Sequence, residues 1–173
     1  MRSRDELAAQ FENLATDYRD RLMGYLLKRV SFDDAPDLAA ATLLTAWRRA
    51  RVMPTDEEQA FWWLLSIARR TTANYRRGII RQNALADRLR AVPMSVQPAV
   101  DTEAQLVLRD AIAKLSDDDQ ELVKLVYWDG LPINAAATVL SIGEATARKR
   151  MQRARKSLRV TLESEDDQIT QRA

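Results

Sequence analysis

The sequence predicts an all-α protein: two small helical domains joined by a flexible linker, the second of them a helix-turn-helix. Three observations carry this. Apolar side chains recur at the 3.6-residue spacing of a helix in segment after segment. No alternating β-branched run survives between turn signals, so strands have no sequence to form from. Finally, Val92–Thr102 contains Pro93 and Pro98 and little hydrophobic period, and it separates the helical segments into two groups.

The first group opens with Phe11, Leu14 and Tyr18, which lead into Leu22, Tyr25, Leu26, Arg29 and Val30 at helical spacing. Asp37–Arg51 is Ala-rich, with Leu38, Leu44 and Trp47 as its expected buried seam. Arg51–Asp56 contains Pro54, leads into an acidic run at Asp56 and reads as a loop. Phe61, Leu64, Leu65, Ala68, Thr72 and Tyr75 then give a long amphipathic helix, expected to end near Gly78. These elements make a first domain over residues 1–90. A linker over 91–105 carries Asp101 and Glu103 and no cation, and its composition predicts flexibility.

The second domain, 106–163, starts with a helix over Leu106–Leu115. Ser116 or Asp117 can cap the next helix, which runs to Trp128 and is closed by Asp129-Gly130. Pro132 can open a short helix to Leu140, because an N1 proline lacks only a donor that would be orphaned anyway. Ser141-Ile142-Gly143 is a three-residue break, and a run of helix formers begins at Glu144. This is the layout of a helix-turn-helix, whose second helix enters a DNA major groove. Residues 164–173 form an acidic tail that keeps the terminus solvated. The chain has no internal repeat.

Formal net charge is only +2, but it is blocky. Arg148, Lys149, Arg150, Arg153, Arg155, Lys156 and Arg159 have no acid among them, and neither do Arg69, Arg70, Arg76, Arg77 and Arg81. Against them stand Asp117-Asp118-Asp119 with Glu121. Two separated basic faces suggest two contacts with a polyanion. With no Cys and no His, disulfides, thiol chemistry and the usual zinc sites are excluded. No Gly-rich phosphate loop or metal motif supports an enzyme, and no metal or cofactor is expected. The three consecutive aspartates point in different directions from a helix start and suit its dipole. The N-terminus is too charged for a signal peptide, and no apolar run approaches a membrane span. A cytoplasmic protein is expected, which the absence of cysteine fits.

The residues resemble a known family, the extracytoplasmic-function sigma factors of bacterial RNA polymerase, over Phe11 to Leu162. Phe11-Glu12-x-Leu14 with Leu22-x-x-Tyr25-Leu26 is similar to the family's opening helices. Asp34-Ala35-Pro36-Asp37-Leu38 with Ala46-Trp47-Arg48-Arg49 resembles its core-polymerase-binding helix. Trp63-Leu64-x-x-Ile67-Ala68-Arg69-Arg70 with Ala73-Asn74-Tyr75-Arg76-Arg77 resembles its promoter −10 helix. Leu115-x-x-x-Asp119-x-Glu121-Leu122, Tyr127-Trp128-x-Gly130-Leu131, Ala135-x-Ala137 and Arg150-x-x-Arg153-Ala154-Arg155 resemble its −35 reader.

The resemblance implies contacts with core RNA polymerase through Asp37, Leu38, Trp47, Arg48 and Arg49. It implies contacts with the single-stranded −10 element through Asn74, Arg69, Arg70, Arg76, Arg77 and Trp62. The loop Arg51–Gln59 would receive a flipped −10 base, at an unstacking cost of a few kcal/mol that pocket contacts must offset. Trp63 matches a core position. Trp62 points outward, where it either stacks on a base or covers the domain's own edge. Asn74 has the amide donor and acceptor to read a base edge, and residues 69, 73, 76 and 77 share a helical face. In the double-stranded −35 element, Arg148, Lys149 and Arg150 sit early enough to contact guanines, at about 1–3 kcal/mol of discrimination per pair. Thr146 reaches a base or a phosphate. Arg153, Arg155 and Lys156 position phosphates. The family also implies an external anti-sigma protein.

Two departures stand out. Ala40-Ala41 follow Asp37-Leu38-Ala39 where the family usually carries Gln-Glu. Ser141-Ile142-Gly143 replaces its Gly-Ile-Ser, a swap expected to weaken the turn by about 1 kcal/mol. The alternative reading is a helix-turn-helix regulator that does not bind core polymerase tightly.

Overall fold

In the computed structural model, helices account for all the regular structure of the described residues, which are 3–86 and 103–172, with side chains placed over 3–81 and 106–163. They fall into two compact units that divide between Val96 and Gln97. The first holds α1 (Arg4–Asp17), α2 (Arg19–Leu27), α3 (Ala35–Arg48), a 3₁₀ turn (Ala50–Val52) and α4 (Glu57–Ala86). The second holds α5 (Glu103–Ala113), α6 (Asp117–Tyr127), α7 (Ile133–Leu140) and α8 (Glu144–Arg172).

Local chemistry sets the ends of these helices. Ser3 and Glu6 form a reciprocal capping box on α1, with Ser3 N donating to Glu6 Oε2 at 2.7 Å and Glu6 N donating to Ser3 Oγ at 3.1 Å. Asp56 Oδ1 accepts from Gln59 N at 2.8 Å at the start of α4. Of the two candidate caps on α6, Ser116 is used: its Oγ accepts from Asp119 N at 3.3 Å. Gly130 takes a φ of +67° after α6, and Leu131 N then donates back to Leu125 O at 3.0 Å. Pro132 lies one position earlier than expected, at the N-cap of α7 with ψ 157°. Its carbonyl still accepts from Ala136 N at 3.0 Å.

Leu14, Leu22, Tyr25 and Leu26 meet Phe61, Leu64, Leu65 and Ala68 of α4 in the first unit's buried core. Tyr18 stacks on Phe61 with ring centroids 4.4 Å apart, and the Arg21 guanidinium lies 4.2 Å from the Phe61 centroid. The seam of α3 differs from the expected one. Its buried residues are Ala35, Leu38, Thr42 and Ala46, whereas Leu44 and Trp47 are 51% and 41% exposed. Small side chains explain the choice, because Ala35 and Ala46 of α3 and Ala60 and Ala68 of α4 are all fully buried and let the helices approach closely. α4 also passes through Gly78 instead of stopping there. One mid-helix glycine costs about 1 kcal/mol, which helix formers on both sides offset.

In the second unit, Ala111, Ile112, Leu122, Val123, Leu125, Leu131, Ala135, Ala136, Val139, Ala147, Met151 and Ala154 form the core. α5 begins at Glu103, inside the stretch assigned to the linker, and ends at Ala113. The rest of that stretch, 91–102, lies outside the described residues. α8 continues to Arg172, so residues 164–172 prolong this helix and do not make a separate tail.

The α7–α8 turn uses an unfavourable residue. Ser141 has φ 58° and ψ 40° and is the non-glycine residue with positive φ among those described. An L side chain there costs about 1–2 kcal/mol. Gly143 needs no such freedom; its carbonyl accepts from Ala147 N at 3.0 Å at the start of α8. A Cβ at Gly143 would meet only Thr146 Oγ1 at 3.9 Å. Exchanging the two residues (Ser141→Gly with Gly143→Ser) is therefore expected to stabilise the protein by about 1 kcal/mol in urea unfolding. An unchanged or lower midpoint would contradict this account of the turn.

A second prediction concerns the α2–α3 loop. Asp34 accepts from Ser31 Oγ and from the Tyr75 hydroxyl, in that order of influence, and is held below its ordinary carboxylate value. The same bond pushes Tyr75 up to about 12. Asp34 thus contributes stability above its ordinary pKa of 3.8, which is lost as pH falls through the depressed folded value. Tyr75 contributes below its ordinary 10.0, and loses this as pH rises through about 12. Asp34→Asn should therefore be less stable than the parent at neutral pH and converge on it in acid. A stability difference that persists unchanged into acid would refute the assignment.

Candidate nucleic-acid interface

In the second unit, rotation about α8 is set by its packed stripe. Ala147, Met151 and Ala154 are buried, and α5, α6 and α7 all pack on α8. Their i, i+4, i+7 spacing aims Lys149, Gln152, Arg153 and Lys156 away from the core. Arg148, Arg155 and Arg159 lie on one flank of that outward face and Arg150 on the other. Gln152, Arg153 and Lys156 of the outward face and the first-flank side chains line an open groove of about 850 Å³ with Val126, Ile133, Met151 and Val160.

The cations of α8 are not equivalent. Lys149, Arg153 and Lys156 are exposed, as is Thr146. Arg148 is also exposed but donates to Glu144 Oε1, with its Nε at 3.0 Å. Such an exposed i, i+4 pair is worth about 0.3–0.5 kcal/mol and yields readily to a stronger anion. Arg155 Nε donates to the Tyr127 hydroxyl at 2.8 Å, and its guanidinium lies 5.7 Å from the ring centroid. Arg150 departs from the expected role. Its side chain is 26% exposed and its Nη1 lies 3.3 Å from Asp118 Oδ2, so it joins α8 to α6 and leaves the early outward position to Lys149. Gln152 carries no charge, so the pattern of cations does not include it. Its i+3 spacing from Lys149 and i−4 spacing from Lys156 is the signal that finds it.

In the first unit, Asn74, Arg70, Arg76 and Arg77 are exposed on α4, and Arg69 is half-buried. Asn74 Oδ1 accepts from Arg77 Nη2 at 2.5 Å, a bond that does not use the amide NH₂. Asn74, Arg77, Ile80 and Arg81 line a shallow depression of about 470 Å³. Arg76 faces another way and donates from Nη2 to Arg29 O at 2.6 Å. Trp62 does not point outward: it is half-buried, with Nε1 buried and lacking a hydrogen-bond partner. Trp63 is half-buried as well, less enclosed than its core assignment implied. The loop ahead of α4 is tied down, since Gln10 Nε2 donates to Pro54 O at 2.8 Å and Met53 is buried.

On α3 and at its C-cap Arg49, the side chains of Asp37, Trp47, Arg48 and Arg49 are exposed, whereas Leu38 is only 6% exposed and belongs to the core. Leu38 therefore positions α3 and offers no contact surface. Trp47 packs beside Phe11, with centroids 5.3 Å apart. Trp47 and Arg48 also line a groove of about 810 Å³ with Ser3, Arg4, Leu7, Ala50 and Arg51. Leu44, exposed one turn before Arg48, was expected in the buried seam; it extends the apolar part of this face. Among the described residues, no helix is long and apolar enough to cross a membrane.

Comparison with known proteins accords with this geometry. A family model for sigma-70 region 4 matches residues 105–158, which span α5 through the basic part of α8. The chain is 30% identical to the ECF RNA polymerase sigma factor SigL of Mycobacterium tuberculosis over 135 residues, 75% of each protein. It is 26% identical to the ECF RNA polymerase sigma-E factor of Haemophilus influenzae, covering 86% of this chain and 85% of the relative. Its fold is shared with the sigma factor RpoE of Bartonella quintana, solved in complex with the anti-sigma factor NepR. That match has a TM-score of 0.55 and 24% identity over 92% of this chain and 95% of the other. The fold is shared also with CnrH, solved in complex with the cytosolic domain of CnrY, with a TM-score of 0.58 and 22% identity over 91% and 96% of the two chains. With an all-helical fold, a helix-turn-helix and relatives that match along most of its length, the chain belongs to the ECF sigma factors, the RNA polymerase subunits of transcription initiation.

Proposed function

We propose that this chain binds core RNA polymerase and directs initiation at promoters carrying a duplex −35 element, read by α8, and a −10 element whose opened strand is held by α4. The observation that carries this reading is the outward face of α8. Lys149, Gln152, Arg153 and Lys156 stand opposite the buried Ala147–Met151–Ala154 stripe of a helix-turn-helix. An early lysine and an amide are suited to base edges in the major groove, while later cations are suited to phosphates. The exposed Asp37, Trp47, Arg48 and Arg49 on α3 are the polymerase-facing set. Asn74, Arg70 and Arg77 are the −10 set, with Arg69 and Arg76 on the flank beside them. Arg148 joins the −35 readers once it releases Glu144. Trp62 acts by supporting the start of α4, not by stacking on a base. The anti-sigma partner of the related RpoE supports control of this chain by a protein of the same kind. Its activity is exerted in the cytoplasm, where polymerase and promoter DNA are.

Transcription by core polymerase, with and without the chain, on a randomised promoter library tests the whole reading. Enrichment of templates sharing two spaced elements is expected, and transcripts independent of the chain would refute it. Variants separate the roles. Lys149→Ala should reduce discrimination between the selected −35 sequence and its single-base variants about tenfold. Arg155→Ala should weaken binding to every duplex alike and lower the salt slope by about 1. Arg150→Ala should leave discrimination intact and cost up to about 1 kcal/mol of stability through loss of Asp118. The same uniform loss from Lys149→Ala and Arg155→Ala would overturn this division.

A further inference from the structure

The loop between α2 and α3 holds a phenylalanine out in solvent. Phe32 is 78% exposed, more than the other large apolar side chains on the described surface. A lone exposed apolar residue on a mobile loop needs no explanation. This loop, however, is anchored on both sides of Phe32. Before it, the Arg29 side chain is buried, donates from Nη1 to Tyr25 O at 3.0 Å and lies 3.7 Å from the Tyr25 ring centroid. After it, Ser31 and Tyr75 both donate to the Asp34 carboxylate, and Asp34 N donates to Ser31 Oγ at 3.2 Å. The anchors on α4 are consecutive residues, Tyr75 to Asp34 and Arg76 to the Arg29 carbonyl at 2.6 Å. Phe32 is two residues from Asp34 and three from Arg29, so its Cα lies within about 7 Å and about 11 Å of theirs. The loop that carries the aromatic ring is thus anchored to the cationic part of α4.

That part of α4 has a definite pattern. Trp62, Arg69, Ala73, Arg76 and Ile80 recur at steps of seven, four, three and four, one stripe along the helix of about 27 Å. Arg76 is exposed, and its hydrogen bond to the loop uses one of the five N–H donors of a guanidinium. Ile80 is 65% exposed. A cation beside two projecting apolar side chains suits a strand whose phosphates and bases need different surfaces. Asp33 is exposed next to Phe32 and disfavours a phosphate there, so the base and not the backbone faces the ring.

We propose that Phe32 is a stacking residue for an unpaired base of the promoter strand held by α4, presented by a loop whose geometry is set through Tyr75 and Arg76. The inference rests on the proposed role of α4 in holding an opened strand, and the test separates the two. Holoenzyme is assembled from core RNA polymerase and the full chain. It is titrated with a fork-junction promoter DNA whose non-template strand is single-stranded from the −10 element onward. The forks carry 2-aminopurine at successive unpaired positions. Phe32→Ala is expected to bind the fork about 5- to 10-fold more weakly, to abolish the fluorescence change at one position, and to bind a duplex −35 fragment as the parent does. Phe32→Trp should restore both fork affinity and the fluorescence signal. Equal fork binding by Phe32→Ala and the parent would overturn the proposal while leaving the role of α4 intact. A loss shared by duplex DNA or by core polymerase would also overturn it, assigning Phe32 to the fold or to a protein interface. Parent holoenzyme that binds duplex but not fork would overturn the role of α4, and the stacking proposal with it.

Discussion

The packing of one buried stripe on each cation-rich helix is the constraint on which the rest of the molecule depends. Ala147, Met151 and Ala154 fix the rotation of α8, and Ala60, Leu64, Ala68 and Thr72 fix that of α4. Side chains of this size leave no room for an alternative rotation, because close-packed helices cannot turn without opening voids. Once these stripes are buried, the directions of the arginines between Arg69 and Arg81 and between Arg148 and Arg159 follow. The charge content of the chain supplies attraction to a polyanion, while the buried stripe decides which charges can face it.

The cations then differ in how firmly they are held. Arg148 sits in an exposed pair with Glu144, where screening leaves little to lose if another anion displaces the carboxylate. Arg155 rests on Tyr127, which orients it toward the groove without neutralising it. Arg150 and Arg76 have structural commitments, one to another helix and the other to a loop carbonyl. A helix that bears many cations thus divides them between holding the fold and meeting a partner.

Much of this was legible in the sequence, and what was not has identifiable causes. The helical class, the division into two groups and the helix-turn-helix followed from periodicity and punctuation, since Pro93, Pro98, Gly130 and the Ser141–Gly143 break act locally. The seam of α3 was misplaced because apolarity favours Leu44 and Trp47, whereas close approach of α4 favours Ala35, Thr42 and Ala46. Gly78 was read as a stop because a glycine signals a terminus only when the backbone turns left-handed, and the sequence does not reveal φ. The commitments of Arg150 to Asp118 and of Arg76 to Arg29 join residues 32 and 47 positions apart, so no local pattern announces them. Phe32 was passed over for a related reason, since its significance comes from the two α4 residues that anchor its loop.

One surface bears directly on the central claim. Ala40 and Ala41 are exposed on α3, the helix proposed to face polymerase. Alanines there offer no side-chain hydrogen bonds, so under the proposed role the contact falls to Trp47, Leu44 and the neighbouring arginines. The equilibrium affinity of the full chain for bacterial core RNA polymerase tests this most directly. The account predicts tight one-to-one binding that Trp47→Ala weakens by at least tenfold. Absence of binding by a folded chain that still binds duplex DNA would contradict it.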